Sequence, residues 1–294
     1  MDVLTDAICN VLQFLKIFDA ENLSLSDVEE NALKNCNNIE EVRLQQNNLT
    51  SIPSKLFESN LELSKIFLNN NQLKEVGGDL FKNNKKLTTI FLNDNQLTQI
   101  PPTLFKTNVE LIEVYLSKNQ LNQLDANLFK TNLKEVPGNL FKSNTKLRVI
   151  NLVQNNLTHL PSTLFETNVN LLEIYLYKNH IVEVDGNLFK NNTKLTLIAL
   201  NENNLTSLPS TLFETNLFKN TPNLQLITFS GNKFLCRREN EINEVFKSRN
   251  VVVQELGQCI ENEEEWEKIK SQQEIYVVPT TSPDDKSNLS NCTN

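Results

Sequence analysis

The residues best suited to redox or metal chemistry are five cysteines and two histidines, His159 and His180. A zinc site needs Cys or His ligands at short spacings, and the sequence contains no Cys-x-x-Cys pair, so no metal site is expected. Cysteine thiols that bind no metal can pair as disulfides, and with five cysteines at least one remains unpaired within the chain. Cys292, in a polar tail, is the best candidate for a free thiol or an intermolecular disulfide. The alternative is an inert tail cysteine.

Composition excludes several classes of function. No nucleophile stands beside a candidate base, and six glycines leave little room for a phosphate-binding loop. We therefore expect no catalytic residue, no cofactor and no enzyme activity. The net charge of -8 argues against a nucleic-acid partner, because affinity for phosphates comes largely from Lys and Arg. No segment approaches the roughly 20 apolar residues of a membrane-spanning helix, so no span is expected.

The chain is organised by an internal repeat with a period of 24 residues. Each unit follows the pattern L-x-x-L-x-L-x-x-N-x-L. Eight units begin at Ile39, Leu63, Leu87, Leu111, Leu147, Leu171, Leu195 and Leu224. The alternating x-L-x-L-x core of each unit predicts a short strand with its leucines on one face. One such strand cannot bury that face alone, so the units must stack into a parallel sheet over a continuous core.

Two further features of the unit are predicted to be structural. The Asn that follows each strand can donate and accept hydrogen bonds at once, so a column of these residues can join neighbouring turns. The second half of each unit is too irregular for a long helix and turns Leu and Phe inward. A row of Phe is expected to stack as a second spine, at positions 57, 81, 105, 129, 165, 189 and 213.

The repeat resembles the extracellular type of leucine-rich repeat, as in Toll-like and Slit-like ectodomains and small secreted insect repeat proteins. The resemblance covers residues 39–235. It implies an α/β horseshoe, in which a right-handed solenoid carries a concave parallel β-sheet and an irregular convex side and is capped at both ends. Such a fold serves many unrelated partners, so it does not identify the ligand.

The C-terminal end of the repeats resembles the cysteine-bearing cap of that family, although Lys233 stands where Pro is common and the Cys-x-Cys pair is reduced to Cys236. The resemblance implies a Cys236–Cys259 disulfide. At the other end, Cys9 and Cys36 flank a degenerate first unit, which more weakly predicts a disulfide in the N-terminal cap. We therefore divide the chain into a cap with a degenerate first repeat (1–38), eight repeats (39–235), a cysteine cap (236–260), and an acidic helix with a disordered tail (261–294).

The repeat is irregular between Asn132 and Lys146, where a second convex half appears without its strand. A deletion after unequal duplication would leave a bulge on the convex face. A functional loop is the alternative interpretation.

In each strand, the positions marked x in the repeat pattern are expected to face the concave surface. Candidate partner-binding residues at the centre of this surface are Arg43, Phe67, Phe91, Tyr115, Tyr175 and Tyr177, with Glu113, Lys118, Glu173 and Lys178 as a polar rim. The core does not need these aromatic rings, and rigid amphipathic rings suit a protein contact. The alternative is that they only stabilise the sheet by cross-strand packing.

The sequence favours a secreted or cell-surface recognition protein that holds a protein ligand on its concave face. Immune recognition or adhesion follows from the family resemblance alone. The rival interpretation is an intracellular scaffold, since Asp2, Asp6 and Lys16 do not fit a signal peptide and a truncated start is suspected. Seven sequons, about the number that chance predicts, begin at Asn22, Asn48, Asn156, Asn191, Asn204, Asn288 and Asn291.

Overall fold

A computed structural model of the chain describes residues 3–5, 9, 14–122, 140–208, 221–236, 244, 251–253 and 259–274. Its strands are β1 (Val3–Leu4), β2 (Ile17–Asp19), β3 (Asp27–Val28), β4 (Glu41–Arg43), β5 (Lys65–Phe67), β6 (Thr89–Phe91), β7 (Glu113–Tyr115), β8 (Val149–Asn151), β9 (Glu173–Tyr175), β10 (Leu197–Ala199), β11 (Leu226–Thr228) and β12 (Val252–Val253). A helix, α1, spans Glu263–Glu274.

The main sheet has ten parallel strands in the order β12-β11-β10-β9-β8-β7-β6-β5-β4-β2. Each predicted unit contributes one of the strands β4 to β11. Equivalent positions are paired throughout, so Ile66 lies opposite Val42 on one side and Ile90 on the other. Strands β2 and β12 extend the sheet from within the segments that we expected to cap it. Strands β1 and β3 form a separate parallel pair.

The core lies directly behind the sheet. The middle residue of each of the strands β4 to β9 is fully buried, whereas its two neighbours in the strand mostly remain partly exposed. Leucines on both sides of the strand continue this core from unit to unit, and Leu44, Leu68 and Leu92 are fully buried. The predicted fold class is therefore confirmed: the coils stack as a right-handed solenoid with a concave parallel sheet and an irregular convex side.

The Asn that follows each strand is structural, as predicted. Asn95 donates from Nδ2 to the carbonyls of Leu68 (3.0 Å) and Leu92 (3.1 Å), and its Oδ1 accepts from the amide of Leu73 (3.0 Å). Its equivalents make the same contacts along the array. Each amide therefore joins its own coil to the preceding coil, where no strand partner is available to the backbone.

A second Asn column lies on the convex side and was not predicted. Asn108 is fully buried and donates to the carbonyls of Phe81 and Asn84 on the preceding coil, both at 2.9 Å. The same position in the other coils is held by Asn60, Asn84, Asn144, Asn168 and Asn192. The sequence feature that could have predicted this column is an Asn three residues after each Phe of the spine.

The phenylalanine spine departs from the prediction at one position. Phe57 and Phe81 stack as predicted, with ring centroids 6.0 Å apart. Phe141 then occupies the place between Phe105 and Phe165 that had been given to Phe129, with centroid distances of 6.1 and 6.4 Å. Phe129, Phe213 and residues 132–139 of the expected convex bulge lie outside the described residues.

Disulfides and one tryptophan mark the two ends of the solenoid. The structure joins Cys9 to Cys36 and Cys236 to Cys259, and Cys9 and Cys36 are buried. Helix α1 begins at an Asn262 cap, whose Oδ1 accepts from the amides of Glu264 and Glu265. Trp266 buries its ring almost completely, so the acidic helix is packed rather than free.

Candidate functional site

The central row of the concave face carries a stack of three aromatic rings. The rings of Phe67 and Phe91 are 4.7 Å apart and inclined by 9°, and those of Phe91 and Tyr115 are 4.5 Å apart and inclined by 4°. The parallel in-register pairing of β5, β6 and β7 places these residues side by side at the strand spacing. We call Phe67, Phe91 and Tyr115 the aromatic ladder. Their side chains are half-buried although the core behind them is already filled.

Arg43 ends the ladder on one side. It lies beside Phe67 in the register, and its guanidinium pairs with Glu41 at 2.6 Å and with Asp19 at 3.1 Å. The hydrogen bonds to Glu41 and Asp19 raise the pKa of this guanidinium. Arg43 is therefore charged, and its charge is compensated by Glu41 and Asp19. It borders the ladder as part of this ion-pair cluster.

Asn151 ends the ladder on the other side. It lies between Tyr115 and Tyr175 in the register, so the tyrosines predicted for one surface are separated by a polar strand position. Tyr177 follows Tyr175 on the same face and is half-buried. The structure thus brings Phe67, Phe91 and Tyr115 together, and it places the two later tyrosines apart from them.

Each strand tyrosine contacts the glutamate at the start of its own strand. The Tyr175 hydroxyl donates to Oε2 of Glu173 at 2.7 Å, and the Tyr115 hydroxyl donates to Oε2 of Glu113 at 3.4 Å. Burial and then the bond to Glu173 raise the pKa of Tyr175 to about 12. Burial and Glu113 also raise the pKa of Tyr115. Both phenols therefore stay neutral at physiological pH.

The two rim lysines lie beyond the strands, in turns with left-handed backbone conformation. Lys118 pairs with Asp94 at 3.1 Å, and Lys178 reaches Glu202 at 3.9 Å. Glu113 and Glu173 stand at the opposite ends of the same strands. The polar residues expected as one rim are therefore split between two borders of the sheet.

A second surface was missed by the sequence analysis. A groove of about 410 Å³ lies at the border where the strands begin, lined by Ile112, Lys146, Arg148, Asn170, Leu172 and Lys194. These residues come from four consecutive coils, those of β7, β8, β9 and β10. The sequence does contain a signal for this surface. From coil to coil, Glu and Lys alternate at the border, and Asn170 interrupts the alternation by standing in place of Glu.

Other chemistry is not indicated in the described part of the chain. No group of three or more His, Cys, Asp or Glu side chains there is arranged to hold a metal ion. Cys292 lies outside the described residues. Among the described residues, no helix has both the length and the hydrophobicity of a membrane-spanning segment.

Comparisons with known proteins agree with this geometry. The sequence profile of the BspA type leucine rich repeat region matches residues 12–136 and 128–237, in six copies. No curated protein sequence is significantly similar to the chain.

Two solved structures illustrate the fold. The crystal structure of a TLR13–ssRNA13 complex superposes with a TM-score of 0.63 at 21% identity, covering 75% of this chain and 29% of that chain. The crystal structure of the APL1 leucine-rich repeat domain superposes with a TM-score of 0.55 at 16% identity, covering 88% of this chain and 73% of that chain. At these identities the similarity concerns the fold alone. The chain spans less than a third of the length of the TLR13 chain.

Proposed function

The chain belongs to the family of BspA-type leucine-rich repeats, and from this premise we propose that it is a non-enzymatic module that binds a protein ligand through the aromatic ladder of its concave face. The leucine-rich repeat fold fits a protein-binding module. The single observation that carries the proposal is the three-ring stack of Phe67, Phe91 and Tyr115 on a water-facing surface.

The ladder has the properties of an interface centre. Stacking fixes the three rings before any ligand arrives, so binding orders little further side-chain freedom. Aromatic side chains supply large contact areas at the centres of protein interfaces. The ion pairs of Arg43 on one side and the phenol–carboxylate pairs on the other supply a polar border. Tyr175, Tyr177, Glu113, Glu173, Lys118 and Lys178 belong to this border in the proposal.

A protein is a better match to this surface than a nucleic acid. The TLR13 structure is titled as a complex with ssRNA13, but the ladder offers uncharged rings, and Arg43 is occupied by two carboxylates. The rings could still stack on bases, so RNA is retained as a negative control in the test.

We further propose an extracellular or cell-surface location, in which recognition would serve immunity or adhesion. The disulfides Cys9–Cys36 and Cys236–Cys259 support it, because such bonds persist in oxidising compartments. Glycosylation of the sequons and an intermolecular disulfide through Cys292 would belong to that setting. The second candidate is an intracellular scaffold, which would keep the same concave surface but not the disulfides.

The test requires a ligand selected without reference to the concave face. A displayed library of extracellular protein domains, selected on the immobilised chain, supplies purified binders whose Kd values can be measured by biolayer interferometry. The ladder variant combines Phe67→Ser, Phe91→Ser and Tyr115→Ser. We expect its affinity for the selected binders to fall at least tenfold, because the central apolar contacts are lost.

A matched control removes three apolar side chains that are more than half exposed elsewhere, through Phe14→Ser, Leu23→Ser and Leu61→Ser. This control should bind like the wild type. The proposal would be overturned if the selected binders kept their affinity for the ladder variant but lost it for the control. A large fall in the melting temperature of the ladder variant would instead show that the rings are structural. Single-stranded RNA should not compete with the selected binders for the wild-type chain.

A further inference from the structure

The residues that immediately precede three neighbouring strands form one continuous row. Ile112, Arg148 and Leu172 stand directly before β7, β8 and β9. Their backbones are linked across the coils, since the amide of Arg148 donates to the carbonyl of Ile112 at 2.8 Å and the amide of Leu172 donates to the carbonyl of Arg148 at 2.9 Å. An arginine is thereby held between two aliphatic side chains, each about one strand spacing away.

A second row lies two residues earlier on each coil and alternates in charge. Along it, a carboxylate on one coil pairs with a lysine on the next, as Glu62 with Lys86 and Glu110 with Lys146 at 2.6 Å. The third pair breaks the pattern, because Lys194 donates to the amide oxygen of Asn170 at 2.6 Å. Asn170 in turn donates to the carbonyl of Thr145 at 2.8 Å, so the amide is fixed in place.

The groove between these rows therefore carries charge that the described residues do not neutralise. Lys146 is paired with Glu110, whereas Arg148 and Lys194 have no carboxylate partner within the described ranges. The six lining residues therefore carry two positive charges with which no described carboxylate forms an ion pair. At the equivalent border of two earlier coils, Lys86 is compensated by Glu62.

The groove is apolar as well as cationic. Ile112 and Leu172 line it and are partly exposed. On the same two coils, Val109 and Val169 are 46% and 45% exposed. An uncompensated cation beside aliphatic surface matches a ligand that offers carboxylates and aliphatic side chains together.

We propose that this border groove, lined by Ile112, Lys146, Arg148, Asn170, Leu172 and Lys194, binds an acidic segment of a partner protein in which Asp or Glu alternates with aliphatic residues. The carboxylates pair with Arg148 and Lys194, and the aliphatic side chains cover Ile112 and Leu172. This surface is separate from the aromatic ladder, so the two proposals can fail independently.

A polyanion such as a sulfated glycan or RNA fits the groove less well. The charges of a polyanion repeat along its chain, whereas the two unpaired cations here, Arg148 and Lys194, are followed toward the N-terminal coils by lysines that already pair with Glu62 and Glu110. The polar backbone of a polyanion would also leave Ile112 and Leu172 uncovered.

The probe is a fluorescein-labelled dodecapeptide of alternating Leu and Glu, titrated with the full chain at low salt and followed by fluorescence anisotropy. A Ser–Glu peptide of equal charge measures the apolar contribution. Single-stranded RNA and a heparin oligosaccharide measure polyanion binding. We expect the Leu–Glu peptide to bind at least tenfold more tightly than the Ser–Glu peptide and than either polyanion.

The groove variant combines Arg148→Glu and Lys194→Glu. Its charge-matched control combines Lys142→Glu and Lys190→Glu, which are exposed on the convex turns. The groove variant should lose at least tenfold in peptide affinity, and both the control and the ladder variant should retain it. Equal binding by the groove variant and the control, no binding at millimolar concentration, or stronger binding of a polyanion would each overturn the proposal. Thermal melts verify that both variants fold.

Discussion

The rings of Phe105 and Phe141 stack with centroids 6.1 Å apart and planes inclined by 9°, although 36 residues separate them where neighbouring units are 24 residues apart. Strands β7 and β8 pair in the ordinary register across the same interval. The solenoid therefore continues across the irregular unit as if the additional twelve residues were absent.

Deleting residues 125–136 should consequently leave the fold intact. The deletion joins Leu124 to Pro137 and restores the Ile100–Pro101 pattern of a regular unit. Because shortening a loop changes its closure entropy only slowly, we expect the free energy of unfolding to change by no more than about 1 kcal/mol. Urea denaturation measures this. Loss of cooperative unfolding would show that the segment is needed for the fold, and loss of ligand binding alone would favour a functional loop.

Asn108→Ala should destabilise the array more than a surface substitution. The variant removes two buried hydrogen bonds to the preceding coil, which predicts a loss of about 2 kcal/mol. Asn83→Ala is the matched control, because Asn83 is exposed and makes one bond to the carbonyl of Glu58. Denaturation of both variants tests this role. Similar losses from the two substitutions would contradict the structural role of the second Asn column.

Titration of Tyr175 should be displaced to high pH. Its pKa is raised from about 10 to about 12, so its contribution to the free energy of unfolding is present below pH 10. That contribution is lost as pH rises from about 10 to 12, because the unfolded chain releases the phenolic proton first. The difference in phenolate absorbance between wild type and Tyr175→Phe isolates the group. Glu173→Gln should lower its pKa, and no change would contradict the contact.

A peptide map without reductant should recover Cys9 joined to Cys36 and Cys236 joined to Cys259. The bonds close loops of 27 and 23 residues, and each should stabilise its end of the solenoid by about 3 kcal/mol. Unfolding with and without reductant measures that contribution. Free thiols at Cys236 and Cys259 in a folded sample from the native source would favour the intracellular scaffold.

The regular part of the molecule could be predicted from the sequence because the residue pattern within each short segment determines its structure. A period of two within each strand determines which side chains face the core, and the 24-residue period repeats that choice from coil to coil. The eight strands, the buried column that includes Asn95 and the alignment of Phe67, Phe91 and Tyr115 all follow from these two periods.

The rest depended on contacts between coils, which the local pattern does not specify. Phe129 and Phe141 carry the same motif, and only the pairing of β7 with β8 decides that Phe141 enters the spine. The same pairing interposes Asn151 between the tyrosines and sets Arg148 between Ile112 and Leu172. Periodicity thus determined which way each side chain faces, whereas the tertiary structure decided its neighbours, because register across an irregular unit is set by packing of the whole coil.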